Sequence, residues 1–282
     1  MGYRFALVLG GGGARGFAHV GVILELLRAG IEPDLVLGTS MGAIVGGFYA
    51  VGQDLARLVR VLEAVDLNRL FGITPSYRRL LERVVIQSIL GHIHGHYPTE
   101  EERRLLTQFR EFLRLFCKGK SFEELDLPLG VIAADIVTGE QVIIRKGPLH
   151  EGILASAALP GVLPPVPHDG RLLIDGGAVN NLPVDVAAEW GAEVVLGVLV
   201  RSRVQPELRT PADVILQTYN VTSQELLHTK VSRARERLGE RLLIVCPDVS
   251  GIGALEFGRI AEAVAAGRRA MAPLVRRLRA LL

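Results

Sequence analysis

Cysteine is scarce in this chain. There are two in 282 residues, Cys117 and Cys246, far apart and each beside apolar neighbours, Leu115-Phe116 and Leu243-Ile244-Val245. That excludes a disulfide scaffold and reads as two buried free thiols in a reducing compartment. Charge of one sign is also lacking. A net charge of +2 gives no case for nucleic acid as a partner of the chain as a whole. At 22% charged and 49% apolar residues, the composition excludes a disordered chain. Internal repeats and Gly/Ser-rich linkers are missing, so residues 1–282 read as one domain.

A signal-type leader is not evident. Met1-Gly2-Tyr3-Arg4 runs directly into Phe5-Ala6-Leu7-Val8-Leu9, which is too short for a signal h-region, and glycines follow where a cleavage site belongs. Ala6 also breaks the myristoylation pattern. A cytoplasmic chain is expected. Leu35 to Gln53 carries no charge and has the length of a membrane span. It holds five glycines as well as Thr39 and Ser40, and its first third reads as strand. A buried strand followed by a helix is therefore expected.

What is present is a strand–turn–helix order, which argues for an α/β fold: a mostly parallel sheet with helices on both faces. Expected strands are Phe5–Leu9, Leu35–Leu37, Leu129–Ala134, Gln141–Arg145, Leu172–Ile174, Glu193–Val200 and Leu242–Cys246. The third and fourth form a hairpin turning at Thr138-Gly139. Helices are expected at Phe17–Ala29, Met41–Val51 and Gly152–Ala158. A helical, more charged insertion is expected near 53–120, and a basic helical tail over 254–282.

The most informative piece is Gly38-Thr39-Ser40-Met41-Gly42. A serine at a sharp strand-to-helix turn, with glycine two residues away on each side, is the nucleophile-elbow pattern. The run Gly10-Gly11-Gly12-Gly13-Ala14-Arg15-Gly16 also follows a strand and opens a helix. Its G-x-G-x-x-G at Gly11, Gly13 and Gly16 suggests a dinucleotide loop. That reading wants an acid at the end of the second strand, where Gly38-Thr39-Ser40 stands. Asp34 lies at the strand's beginning, and no Walker lysine follows the loop. An oxyanion hole built from the N–H groups of Gly11, Gly12 and Gly13 fits better. Arg15 would hold the loop or bind a phosphate head group.

A serine nucleophile usually works with histidine. None of His19, His92, His94, His96, His150, His168 and His228 has a catalytic setting in the sequence. His19 reads as packing or capping and Pro167-His168-Asp169-Gly170 as an exposed turn. The alternation of His92, His94 and His96 offers metal-ligand spacing, but the stretch reads first as a loop. Asp175-Gly176-Gly177 stands out more. The aspartate ends the apolar Leu172-Leu173-Ile174, and two glycines leave room around it. Such a carboxylate serves as a base if its site raises its pKa. Taken alone, the Asp-Gly pair reads as an Asx turn.

Together, Gly11 to Gly16, Gly38 to Gly42 and Asp175-Gly176-Gly177 resemble the signature of the patatin-like phospholipases, and in particular of their bacterial branch. Ala155 to Gly161 with Pro164-Pro165, Ala133-Ala134-Asp135 with Thr138-Gly139-Glu140, and Asn181 with Pro183 also resemble that family. So does Pro247-Asp248-Val249-Ser250 with Phe257. The resemblance covers most of 4–200 and, more weakly, 240–270. It implies a three-layer α/β/α fold and a Ser40–Asp175 dyad acting on acyl esters of lipids. It also implies an oxyanion hole at Gly11 to Gly13, with Arg15, Gly16, Gly38, Gly42, Gly176 and Gly177 in support, and no metal or cofactor.

Residues 70–120 are the least family-like. Val84 to Ile86, Ile89-Leu90, and Phe109, Phe112, Leu113, Leu115 and Phe116 read as core, with an apolar lid as the alternative. The arginine-rich tail reads as a solvated helix face, with peripheral contact to a membrane surface as the alternative. Two rival functions remain open at this point: a catalytically weak lipid-binding or regulatory relative, and a nucleotide-binding α/β protein. Oligomeric state has no signal in the sequence.

Overall fold

The computed structural model describes residues 2–64, 100–160, 162–201 and 211–282. Within them eight strands form one sheet. β1 (Phe5–Leu9) pairs in parallel with β2 (Leu35–Thr39) and β7 (Val194–Val198). The parallel set continues from β2 to β3 (Leu129–Asp135) and from β7 to β8 (Leu242–Val245). β4 (Gln141–Ile144) and β6 (Arg171–Asp175) both run antiparallel on β3, and β5 (Val166–His168) runs antiparallel on β6.

Register on β3 decides what meets at the centre. β2 pairs with residues 129–132 of β3, β4 with 131–134, and β6 with 133–135. A strand has two edges, and β4 shares residues with both others. So β2 and β6 lie on the same edge, opposite β4. β2 runs with β3 and β6 against it, so their C-terminal ends point at each other. Thr39 sits beside Ile132 and Asp175 beside Ala133, one residue apart along β3.

Alternation along the strands sorts the core into two layers. Phe5, Leu7 and Leu9 of β1 join one cluster, and Ala6 and Val8 the other. The first cluster is covered by α1 (Ala18–Arg28), α2 (Met41–Ala50), α3 (Leu55–Glu63), α4 (Glu100–Phe116), α5 (Leu149–Ser156) and α8 (Ile260–Met271). A last helix, α9 (Val275–Leu281), adds Leu278 to it. The second is covered by α6 (Val184–Glu189) and the 28-residue α7 (Pro211–Leu238), which contributes Leu227 and Ala234. The result is a three-layer α/β/α arrangement around a mostly parallel sheet.

The uncharged stretch Leu35 to Gln53 divides into β2, the elbow and α2. Among the described residues no helix is long and apolar enough to cross a membrane. The region near 53–120 is helical at both described ends, α3 and α4. The apolar Val84 to Ile86 and Ile89-Leu90, read as core or lid, and the His92, His94, His96 cluster lie outside the described residues. In α4, Phe109 and Leu113 are buried, and Phe112 and Phe116 pack on Phe48 at ring-centroid distances of 6.2 and 5.5 Å. These are core contacts, although Leu115 of the same run is exposed.

Three expectations are corrected. Pro167-His168 is strand, and the turn of the β5–β6 hairpin falls at Asp169-Gly170, both at positive φ. Cys246 is exposed, while Cys117 is buried as expected. The alternation that buries Val245 turns Ile244 and Cys246 to the sheet's other face, which is open to a cavity at that end. Between Val200 and Leu242 the sequence suggested no element, and there α7 lies. Its C-terminal half does carry an apolar stripe, Leu227, Val231, Ala234 and Leu238, but the charged residues between them mask it in the sequence.

Candidate active site

Ser40 follows the last residue of β2 and holds φ 54°, ψ −121°, a backbone state that costs on the order of 1–3 kcal/mol for a residue with a side chain. The turn is closed by helix bonds from Ala43 and Ile44 N–H to the Ser40 carbonyl, at 2.9 and 3.1 Å. Only glycine fits at 42, because a Cβ there would strike the Leu9 carbonyl. The serine hydroxyl makes no capping bond to α2, so it stays available above the sheet.

The strained backbone is latched by Ser156 at the end of α5. Ser40 N–H donates to Ser156 Oγ at 3.0 Å, and that fully buried hydroxyl donates to the Ile132 carbonyl at 2.5 Å. Ser156→Ala strips both partners inside the core. It is expected to lower stability by roughly 1–3 kcal/mol, read as a fall in the urea midpoint at unchanged m-value.

Asp175 ends β6 and is 2% exposed. Its Oδ1 accepts from Gly177 N–H at 2.7 Å and from the Tyr219 hydroxyl at 3.3 Å. The Asx turn read from the sequence is therefore present, and the Ser40 hydroxyl lies near enough to the same carboxylate to favour its charged form. Burial pushes the Asp175 carboxyl up to about 6, against Ser40, Gly177 and Tyr219, which pull it down. Its own N–H donates to the Ala158 carbonyl at 2.9 Å, tying the turn to the segment after α5.

The glycine loop runs beside the serine. A Cβ on Gly11 would lie 3.3 Å from that of Ser40. Gly11 N–H is already committed to the Asn181 carbonyl at 3.1 Å, so it is not a free donor. Among the described residues no acceptor meets Gly12 or Gly13 N–H. Gly13 sits at φ 57° against Ala254, and Gly16 packs on Met41. Arg15 folds inward, donating from Nε to the Gly12 carbonyl at 3.2 Å and from Nη1 to the Arg201 carbonyl at 3.4 Å. These contacts hold the loop, and Arg15 also lines the cavity beside Ser40. His19, fully buried, has Nε2 2.7 Å from the Gly10 carbonyl, and burial takes its pKa down to about 4. It is a neutral donor that braces the loop. Asp34 receives Arg4 and Phe5 N–H at the opposite end of β1, away from any ribose position.

Two cavities meet at Ser40. The larger, about 780 Å³, runs between the sheet edge and α7 and includes Arg15, Asp175, Arg201, Ser223, His228 and Arg235. The smaller, about 90 Å³, is walled by Met41, Ile44, Phe109, Val162, Leu163 and Phe257. Among the histidines, His228 lines the larger cavity. It lies nine residues beyond Tyr219 on α7, roughly 13 Å along the axis from the group that touches Asp175. His150 faces Glu151, and His168 lies 3.7 Å from Asp169.

Sequence reasoning missed Tyr219, Ser156 and the bracing role of His19. Tyr219 carried no signal, since α7 itself was unread. Ser156 lay in the segment matched to a family pattern, and its hydroxyl contact depends on folding.

The family model for Patatin-like phospholipase matches residues 7–188. Patatin-like phospholipase domain-containing proteins of Caenorhabditis elegans and Homo sapiens are 39% and 36% identical over 197 and 214 residues. Those alignments cover 69% and 75% of this chain but 13% and 14% of the relatives. An uncharacterized NTE family protein of Mycobacterium tuberculosis is 32% identical over 295 residues, covering 95% of this chain and 46% of its own length. The crystal structure of VipD from Legionella pneumophila aligns at 14% identity with a TM-score of 0.46, over 98% of this chain and 67% of that one.

Proposed function

Because this chain belongs to the patatin-like phospholipase family, we propose that it is a lipid acyl hydrolase working through a Ser40–Asp175 dyad. One observation carries the reading: a serine in a strained elbow and a buried, pKa-raised carboxylate line one cavity, and a second, apolar cavity opens at the same serine. Ser40 Oγ attacks the ester carbonyl carbon as its proton passes to Asp175. Gly12 and Gly13 N–H receive the oxyanion, with Gly11 kept small for clearance. Collapse breaks the carbon–oxygen bond of the ester, and the departing alkoxide takes the proton from Asp175. Water then attacks the acyl-serine, giving its proton to Asp175. The second collapse releases the fatty acid and returns that proton to Ser40.

The apolar cavity suits the first part of an acyl chain. The larger cavity, with Arg201 and Arg235 among its lining residues, suits the alcohol and its head group. The sharpest test is an active-site phosphonate. A fluorophosphonate is expected to add one adduct, mapped by mass spectrometry to Ser40, and a series of acyl esters of increasing chain length should be turned over. Normal liposome binding with neither adduct nor turnover would instead support a lipid-binding relative without catalysis.

A further inference from the structure

The elbow, the glycine loop and the Asp-Gly-Gly turn account for most of the site. Tyr219 comes from none of them. We infer that Tyr219 is a positioning residue for Asp175, holding the carboxylate turned toward Ser40 and favouring its ionised form. The inference rests on the dyad chemistry proposed above.

Tyr219 and Gly177 N–H donate to the same oxygen, Asp175 Oδ1, at 3.3 and 2.7 Å. Two donors on one oxygen set the rotation of the carboxyl group about its Cβ–Cγ bond. The phenol also occupies the space above the turn: a Cβ on Gly177 would lie 2.5 Å from the Tyr219 hydroxyl and 3.0 Å from Oδ1. Glycine at 177 thus leaves room for the tyrosine as well as for the turn.

The helix that brings Tyr219 is tied to the elbow by a polar chain. Lys230 of α7 pairs with Asp185 at 3.0 Å, and Asp185 accepts from Asn180 Nδ2 at 2.8 Å. The Asn180 carbonyl accepts from Thr39 Oγ1 at 2.9 Å, one residue before Ser40. All the members except Lys230 are buried.

The groups facing the carboxyl are the Ser40 hydroxyl from the elbow, Gly177 N–H from the turn and Tyr219 from α7. Arg15, Arg201, His228, Arg235 and Cys246 line the same cavity. Burial and the neighbouring carboxylate push the Tyr219 phenol well above its ordinary pKa, so it remains a donor across the working range. A donor to a carboxylate favours the charged form and lowers its pKa, so removing the donor raises it. A base acts when deprotonated, so activity rises as pH passes upward through that pKa. Loss of the donor therefore moves the acidic limb to higher pH.

The test is Tyr219→Phe in the full chain, which keeps the ring. Asp175 is titrated by carboxyl ¹³C shift, with its signal assigned by Asp175→Asn, and the pH–rate profile is measured in parallel. An upward shift of roughly one unit is expected. It lowers kcat about ninefold at pH 5 and about twofold at pH 7, with KM unchanged. A fluorinated tyrosine at 219, a stronger donor, should move the titration the opposite way. That arm does not depend on how Tyr219→Phe folds. An Asp175 titration unmoved by either variant overturns the inference. If the wild type turns over no ester, the dyad reading fails, and the ¹³C titration still decides whether Tyr219 sets the carboxyl.

Discussion

Ser40→Ala is expected to lower kcat on every ester the wild type cleaves by about 10⁴-fold or more, leaving the thermal midpoint nearly unchanged. The reason is geometric. Alanine keeps the Cβ, so the φ 54° backbone and its Ser156 latch persist. The hydroxyl makes no capping bond to α2, so its loss removes no support from the helix. What disappears is the hydroxyl oxygen proposed to form the acyl-enzyme. Initial rates and differential scanning calorimetry on the same preparation check both halves. Substantial residual turnover by a folded Ser40→Ala protein would remove the serine from the mechanism.

Asp175→Asn is expected to cost about 10³- to 10⁴-fold in kcat and to stabilise the protein. Asparagine fills the same space, and its oxygen can keep Gly177 N–H and Tyr219. Its NH₂ then faces Ser40 and takes no proton. The stability half follows from linkage. The folded pKa, about 6, lies above the ordinary value of 3.8. Between these values the folded state binds more protons, so this group favours folding below pH 4 and loses that contribution as pH rises through 6. The loss is about 3 kcal/mol. The neutral variant should therefore unfold at a higher temperature than wild type at pH 7, with the gap closing near pH 4. Wild-type activity should fall as pH drops through about 6. If Asp175→Asn keeps its rate while His228→Ala or His168→Ala loses it, a histidine triad replaces the dyad.

Both residues of the proposed dyad cost stability, through backbone strain at Ser40 and a desolvated carboxyl at Asp175. The surroundings hold them in place: Ser156 and Ile132 behind the serine, Gly177 and Tyr219 around the aspartate. The proposed oxyanion donors are fewer than the loop's four glycines suggest, because Gly11 N–H is used on the Asn181 carbonyl and Gly10 N–H on the Val198 carbonyl.

Much of this was legible in the residue string because the motifs are local. A strand, a serine between glycines and a small-residue helix specify the elbow within a few residues, and steric rules alone require Gly42. Alternation in Phe5–Leu9 and Val194–Val198 is near-continuous apolar, as strands buried on both faces must be. Cys246 was misread for the same local reason, since its apolar neighbours do not show that a cavity opens beside it. The β5–β6 hairpin was missed because Pro167 and Asp169-Gly170 mark a turn without saying which side of it is strand.

The sequence by itself determined the α/β class, the elbow at Ser40, the glycine loop and an aspartate with room around it, each written in spacings of a few residues. Tertiary structure alone decided that β2 and β6 end facing each other along β3, which brings Ser40 to Asp175 across 135 positions of chain. It alone decided which loop donors stay free and that Tyr219 arrives from α7. These depend on sheet register and layer packing, which are set by the sum of contacts over the whole core and leave no periodic trace in any one segment.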